Sequence, residues 1–324
     1  LAIGLLLGAS LGFSAVISAF WLGAAFGIVS MIFSHKKITM KSEVPFAPFL
    51  VLGAWLALIF NLDLMHFPYF SVPIFYTKPF VVTIHDLILN HFPTGKASTL
   101  PYPLYQAKRL GYSFVLSHAV KNARKIIVPL HFVEDDVVKT LGVPRKKIVV
   151  TYEGVDEKVL SSKYKVLSIT KDENTKYLLH NTKYFLYVGN AYPHKNLKLL
   201  LEAFSQLVRH QHDVKLVLVG KEDFFYKRLQ DKVNVLGLKD SVLFLQNVED
   251  EELGNLYQHA TAVVLPSLME GFGLPALEAM SVRCLVLASD IPAFREVCEE
   301  VAVYFDPKDV KDLAEKMEQV LQQR

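Results

Sequence analysis

"TAVVLPSLMEGFGLPALEAM", residues 261–280, passes from an apolar run to a helix-forming run through a glycine-aromatic-glycine loop. The unbroken "TAVVL" reads as a strand buried on both faces, as in a parallel sheet. Gly271 and Gly273 let the backbone approach a ligand closely and offer unhindered amides. Pro275 suits the first turn of a helix, where a missing N–H leaves nothing unpaired. Glu270 therefore stands on a strand-to-helix loop, and Glu278, eight positions on, falls about a turn inside the helix.

The same alternation extends both ways. Downstream of Tyr184 come "YFLYV", a helix over 195–210, "VKLVLV", a helix over 222–235, "SVLFL" and a helix over 249–259. After the quoted stretch, with its helix over 275–281, come "CLVLA" and a helix over 308–323. Upstream, "FVVTI" at 80–84 precedes a helix over 102–122, then "KIIV", a helix over 132–141 closed by Gly142, and "KIVVTY". Continuous apolar strands between amphipathic helices predict an α/β, doubly wound architecture in two Rossmann-like units, 61–155 and 183–324. The polar stretch 156–182 reads as a linker or insertion.

The first 60 residues differ. No charged residue occurs from Leu1 to Phe33, a run long enough for one transmembrane helix of about 20 residues. A basic loop at 34–43 follows and would face the cytoplasm. A second apolar run ends at Phe60 and begins with "PFAPFL" at 45–50. This stretch resembles the C-terminal tail of a type IV prepilin peptidase, though a generic membrane anchor explains it equally well. That family's catalytic aspartates are missing, since the first aspartate is Asp63, so no peptidase activity is expected.

The 324 residues are 52% hydrophobic and carry a net charge of only +3, and no broad basic field exists for nucleic acid. Cys284 and Cys298 lie in no metal-binding or CxxC pattern and read as reduced packing residues.

Ligands of doubly wound sheets bind beyond the carboxyl ends of the strands. In "YVGNAYPHKNLKLLLEAF", 187–204, Lys195 stands where a helix begins, which suits a phosphate; a plain surface lysine is the other reading. Glu270 and Glu278 offer acceptor-only carboxylates for sugar and ribose hydroxyls, and compensation of the helix dipole accounts for Glu278 alone. In "VVTIHDLI", 81–88, His85 follows a buried strand and reads either as an acid-base group or as a satisfied loop histidine.

With these stretches in place, residues from about 63 to 324 resemble the retaining glycosyltransferases of family four, which have the GT-B fold. The likeness rests on "PSLMEGFGLPALEAM", with its two glutamates, and on "DLMHFPYFSVP", "VVTIHDLI", "YEGVD", "YVGNAYPHKNL", "LVLVGKED" and "IPAFREV…VYFDP" in the same order. Mannosyltransferase-like bacterial members are the most similar. The resemblance implies a hexosyltransferase that moves a mannose-like sugar, with retention, from GDP-mannose or a UDP-sugar to a glycan or lipid-linked acceptor. It implies no cofactor and no metal, and no Asp-x-Asp motif stands in a suitable loop. It points to polysaccharide biosynthesis, and the N-terminal hydrophobic segments are expected to anchor the protein on the cytoplasmic face of the inner membrane.

By the same resemblance Glu270 and His85 are catalytic. Glu270 meets donor-sugar hydroxyls, and His85, from the opposite domain, faces the reacting sugar and acceptor. Gly189, Asn190 and Lys195 approach the diphosphate, as do the amides of Gly271, Phe272, Gly273 and Leu274. Gly220, Lys221 and Val248 line the base pocket, and Glu278 holds the ribose.

Three departures from the family pattern stand out. Asn190 replaces an arginine, leaving Lys195 and backbone amides to hold the diphosphate. Arg283 replaces a glycine in a tight turn, a source of strain if that position has positive φ. Membrane-like sequence stands where the first strands of the acceptor-side domain belong, so that domain is expected to be incomplete, and the chain stops before the helix that crosses back to it. Two readings follow: an active transferase, or a membrane-anchored fusion joined near Phe60–Asp63 that only binds nucleotide sugar.

Overall fold

The computed structural model describes residues 64–92, 101–157, 159, 182–211 and 213–323. The expected membrane segments at 1–33 and 45–60, with the loop between them, lie outside the described residues, as does nearly all of the expected linker. Among the described residues no helix is long and apolar enough to cross a membrane. The chain divides into two compact units, one holding 64–85 and 101–151 and the other 86–92 and everything from Tyr152 onward.

In the first unit a parallel sheet runs in the order β1 (Met65–Phe67), β2 (Phe80–Thr83), β3 (Lys125–Val128), β4 (Ile148–Val150). Its helices are α2 (Tyr102–Asn122) and α3 (His131–Leu141). Gly142 ends α3 in the left-handed conformation, φ 66°, as its sequence position predicts.

The second unit carries a short helix, α1 (Ile88–His91), and a six-stranded parallel sheet ordered β10-β9-β8-β5-β6-β7. In chain order its elements are β5 (Lys183–Val188), α4 (Leu197–Leu207), β6 (Val214–Val219), α5 (Phe224–Val235), β7 (Val242–Leu245) and α6 (Asp250–His259). They continue with β8 (Ala262–Leu265), α7 (Leu274–Ser281), β9 (Val286–Ser289), α8 (Pro292–Cys298), β10 (Val303–Phe305) and α9 (Val310–Gln323).

Strand side chains alternate between two cores. Phe185, Tyr187, Leu216, Leu218 and Val264 pack under α4, α5 and α9. Tyr184, Leu186, Val217, Val263 and Val286 pack under α6, α7 and α8. Because both faces are covered, these strands read as continuous apolar runs rather than alternating ones. Cys284 and Cys298 are free and buried, in line with the packing role read from the sequence.

One feature of this order positions the site. Strand β5 pairs with β6 on one side and with β8 on the other, with Leu186 opposite Val263. After β5 the chain turns to one face of the sheet as α4, and after β8 to the opposite face as α7. The two connecting loops therefore start side by side at a topological switch point, the place where doubly wound sheets bind their ligands.

Candidate functional site

The loop after β5 is pinned from within the sheet. Gly189 has φ 146° and donates its N–H to the carbonyl of Val219 at 3.0 Å. The Tyr187 hydroxyl donates to the Asn190 carbonyl at 2.6 Å, and Asn190 Oδ1 accepts from the Tyr192 amide at 3.2 Å. The chain then makes a 3-10 turn, Pro193–Lys195, and Asn196 adopts φ 56° before α4 starts. This corrects the expectation that Lys195 opens the helix: the left-handed Asn196 intervenes, and its Nδ2 donates to the Pro307 carbonyl at 2.8 Å.

The loop after β8 carries Glu270, and it is tied to the first loop. The Leu268 amide donates to the His194 carbonyl at 2.8 Å. Lys195 Nζ donates to both carboxylate oxygens of Glu270, at 2.7 and 2.9 Å, and Ser267 Oγ donates to Oε1 at 2.7 Å. Glu270 and Ser267 are buried, whereas Lys195 keeps partial exposure. Charge and hydrogen bonding thus compensate one another, as a desolvated carboxylate requires.

His194 is buried beside this pair, with its ring centroid 6.1 Å from that of Phe92 and 6.0 Å from that of Tyr192. Burial, helped by the neighbouring Lys195 charge and opposed by Glu270, lowers its pKa to about 4, so the imidazole is neutral near pH 7.

Gly273 has φ 94°, and a Cβ there would stand 2.7 Å from Cε1 of Phe294. Only glycine fits. Phe272 is turned inward, its ring 6.5 Å from that of Tyr152, so only its backbone is available to a ligand. Helix α7 has Pro275 in its first turn, as expected, and no side-chain cap. Glu278 lies inside that helix, half-buried, and accepts a hydrogen bond from the Tyr257 hydroxyl at 2.8 Å. Burial raises its pKa, the Tyr257 bond counteracts that, and Asp250 and Asp156 add to the rise.

Gly220 and Lys221 follow β6, and Val248 follows β7, so all the expected donor residues of this unit lie at the carboxyl edge of the sheet. Gly220 nevertheless has a packing reason of its own. A Cβ would stand 2.1 Å from the Tyr226 hydroxyl and 2.3 Å from the Gly189 carbonyl. Lys221 is exposed and Val248 half-buried against the α6–α8 core.

In the first unit His85 lies just past β2, where the sequence places it. Its Nε2 is 3.0 Å from the Pro68 carbonyl, and since a carbonyl only accepts, that nitrogen carries a proton. Asp86 serves locally, accepting from the Ile88 amide at 2.9 Å.

Tyr187, His194, Ser267, Tyr226 and Tyr257 complete the site and are not singled out in the sequence. Ser267, three residues before Glu270, carried a faint signal as a short polar side chain on the same loop. The tyrosines are indistinguishable from core residues by sequence alone.

Two family models and several known proteins match this chain. Residues 31–159 match the family described as Glycosyltransferase Family 4, and residues 168–324 the one described as Glycosyl transferases group 1. The first match runs from residue 31 through the expected join at 60–63. O-antigen chain mannosyltransferase RfbU of Salmonella typhimurium is 32% identical over 71% of this chain, and the chain spans 57% of that relative's length. O-antigen chain mannosyltransferase B of Escherichia coli is 29% identical over 83% of this chain and 68% of its own. Among solved structures, sucrose-phosphate synthase from Thermosynechococcus elongatus has a TM-score of 0.68 at 21% identity, covering 88% of this chain and 73% of that one. Anabaena HepE in complex with UDP-glucose has a TM-score of 0.64 at 21% identity, covering 86% and 67%. These structures share the GT-B fold with this protein. Residues 31–159 are thus similar to a Glycosyltransferase Family 4 domain and residues 168–324 to a Glycosyl transferases group 1 domain, in that order along the chain.

Proposed function

We propose that this protein is a glycosyltransferase that moves a mannose-like hexose from a nucleotide sugar to a glycan or lipid-linked acceptor, with retention of configuration. The observation that carries the reading is the Lys195–Glu270 pair: a cation and a carboxylate held together at the β5/β8 switch point, where a diphosphate and a sugar would be met. The names of two relatives, both O-antigen chain mannosyltransferases, support the sugar class, and HepE's complex with UDP-glucose supports a nucleotide-sugar donor.

In this reading the donor diphosphate draws the Lys195 ammonium, and the carboxylate of Glu270 turns to the donor-sugar hydroxyls. The amides of residues 271–274 approach the phosphates, and Glu278 accepts from the ribose. Gly220, Lys221 and Val248 form the base end. As the bond from the anomeric carbon to the phosphate oxygen breaks, the acceptor oxygen bonds to the same carbon on the same face, and its proton passes to a phosphate oxygen. No protein nucleophile is required. The protein supplies position and stabilises charge on the leaving diphosphate. His85 is assigned a hydrogen bond to a substrate hydroxyl. The reaction is placed on the cytoplasmic face of a membrane, where nucleotide sugars are available.

Thermal stabilisation by GDP-mannose and by UDP-glucose, followed by transfer and donor-hydrolysis assays on wild type and Glu270→Ala, tests the reading. Stabilisation with turnover that the variant loses supports it. Stabilisation without turnover points to a protein that only binds the donor, and no stabilisation by either nucleotide sugar removes both readings.

A further inference from the structure

Two buried tyrosines meet the loop after β5 from beneath. Tyr187, in β5, donates its hydroxyl to the Asn190 carbonyl at 2.6 Å; Tyr226, in α5, donates to the Gly189 carbonyl at 2.7 Å. Both rings belong to the core under α4, α5 and α9, and both side chains are about 1% exposed. Room for these hydroxyls is made by two glycines. A Cβ on Gly189 would lie 2.9 Å from the Tyr187 hydroxyl oxygen, and one on Gly220 would lie 2.1 Å from that of Tyr226. Burial raises the pKa of both phenols, so each remains a donor.

A trans peptide points its C=O and its N–H in opposite directions. With the carbonyls of Gly189 and Asn190 turned to the core, the amides that share those peptide units, of Asn190 and Ala191, turn away from it. Neither amide donates to any acceptor among the described residues. Two successive outward N–H groups form a concavity suited to an anion. They stand on the loop that leads to Lys195.

We propose that Tyr187 and Tyr226 are positioning residues: by holding two successive carbonyls from the core side, they aim the Asn190 and Ala191 amides at the diphosphate of the nucleotide sugar. The inference rests on the donor-site reading given above and adds to it the groups that grip the anion.

The full chain, labelled with 15N-alanine, is titrated with GDP and with UDP, and the Ala191 resonance is identified by its loss in Ala191→Ser. The nucleotide that binds should move the Ala191 amide proton downfield. Tyr187→Phe and Tyr226→Phe should each weaken that nucleotide about tenfold, the scale of one hydrogen bond to a charged group, and shrink the shift. Because each single variant removes one hydroxyl, both stay readable if the double variant fails to fold. Binding that leaves Ala191 unmoved, or single variants that bind as wild type does, would overturn the proposal while the donor site stands. Binding of neither nucleotide to wild type would overturn the donor site itself, and this proposal with it.

Discussion

Lys195 and Glu270, 75 residues apart, meet through two hydrogen bonds of 2.7 and 2.9 Å at the edge where β5 and β8 run side by side. Each keeps the other's charge compensated in a largely dry place. Removing one partner of such a pair strands the other, at about 3 kcal/mol, whereas removing both charges is nearly neutral. Glu270→Ala should therefore lower the urea midpoint clearly, and Lys195→Met with Glu270→Gln should recover most of the loss. Transfer activity should fall about 100-fold in both. Recovery of activity along with stability in the double variant would mean that the pair is only structural.

Glu278 allows stability and binding to be separated. Its folded-state pKa is raised above 4.5, chiefly by burial. Between 4.5 and the folded value the native protein holds a proton that the unfolded chain releases. Stability therefore falls as pH rises through that window, and at neutral pH the charged carboxylate opposes folding. Glu278→Gln should match or exceed wild type in thermal midpoint at pH 7.5. If the carboxylate grips the ribose, the variant should also lose the roughly tenfold preference for a ribose over a 2′-deoxyribose nucleotide. An unchanged preference, measured by calorimetry, would take the ribose role away from Glu278.

Arg283 occupies the glycine position of a helix C-terminus. Its amide donates to the Met280 carbonyl at 3.0 Å and that of Cys284 to the Ala279 carbonyl at 2.9 Å, the bond pattern of a Schellman motif. Its φ is 63°. A side chain pays for that conformation where glycine does not, partly offset by glycine's greater freedom when unfolded. Arg283→Gly should stabilise the protein by about 0.5–1 kcal/mol and leave activity untouched, because the side chain is exposed. Equal or lower stability in denaturant melts would show that the arginine is held by compensating contacts.

That glycine position was readable in the sequence, and so were most elements of the second unit. Strands such as "VKLVLV" are apolar throughout because they are covered on both faces, and "EGFGLP" announces a loop entering a helix. Shorter pieces escaped the reading. Met65–Phe67, Pro292–Cys298 and Val303–Phe305 are too brief to show a period and are fixed by their neighbours in the sheet. Tertiary pairing was hidden for a different reason. Lys195 and Glu270 meet only because β8, late in the chain, inserts beside β5, and nothing local to either residue encodes that order. Tyr187 and Tyr226 looked like core residues because their rings are core residues; only their hydroxyls serve the loop.

His194 should govern the acid limb of stability. Its ordinary pKa of 6.5 drops to about 4 in the folded protein through burial and the Lys195 charge, with Glu270 opposing. Between those values the unfolded chain binds the proton that the folded one refuses. The stability His194 contributes is thus fully present above pH 6.5 and is lost as pH falls toward 4. His194→Gln removes this titration while keeping a polar side chain. Urea midpoints at pH 7.5, 5.5 and 4.5 should show the gap between wild type and variant narrowing as the solution is acidified, with effects of all other groups cancelling in the comparison. A gap independent of pH would mean that the imidazole titrates as an exposed one does.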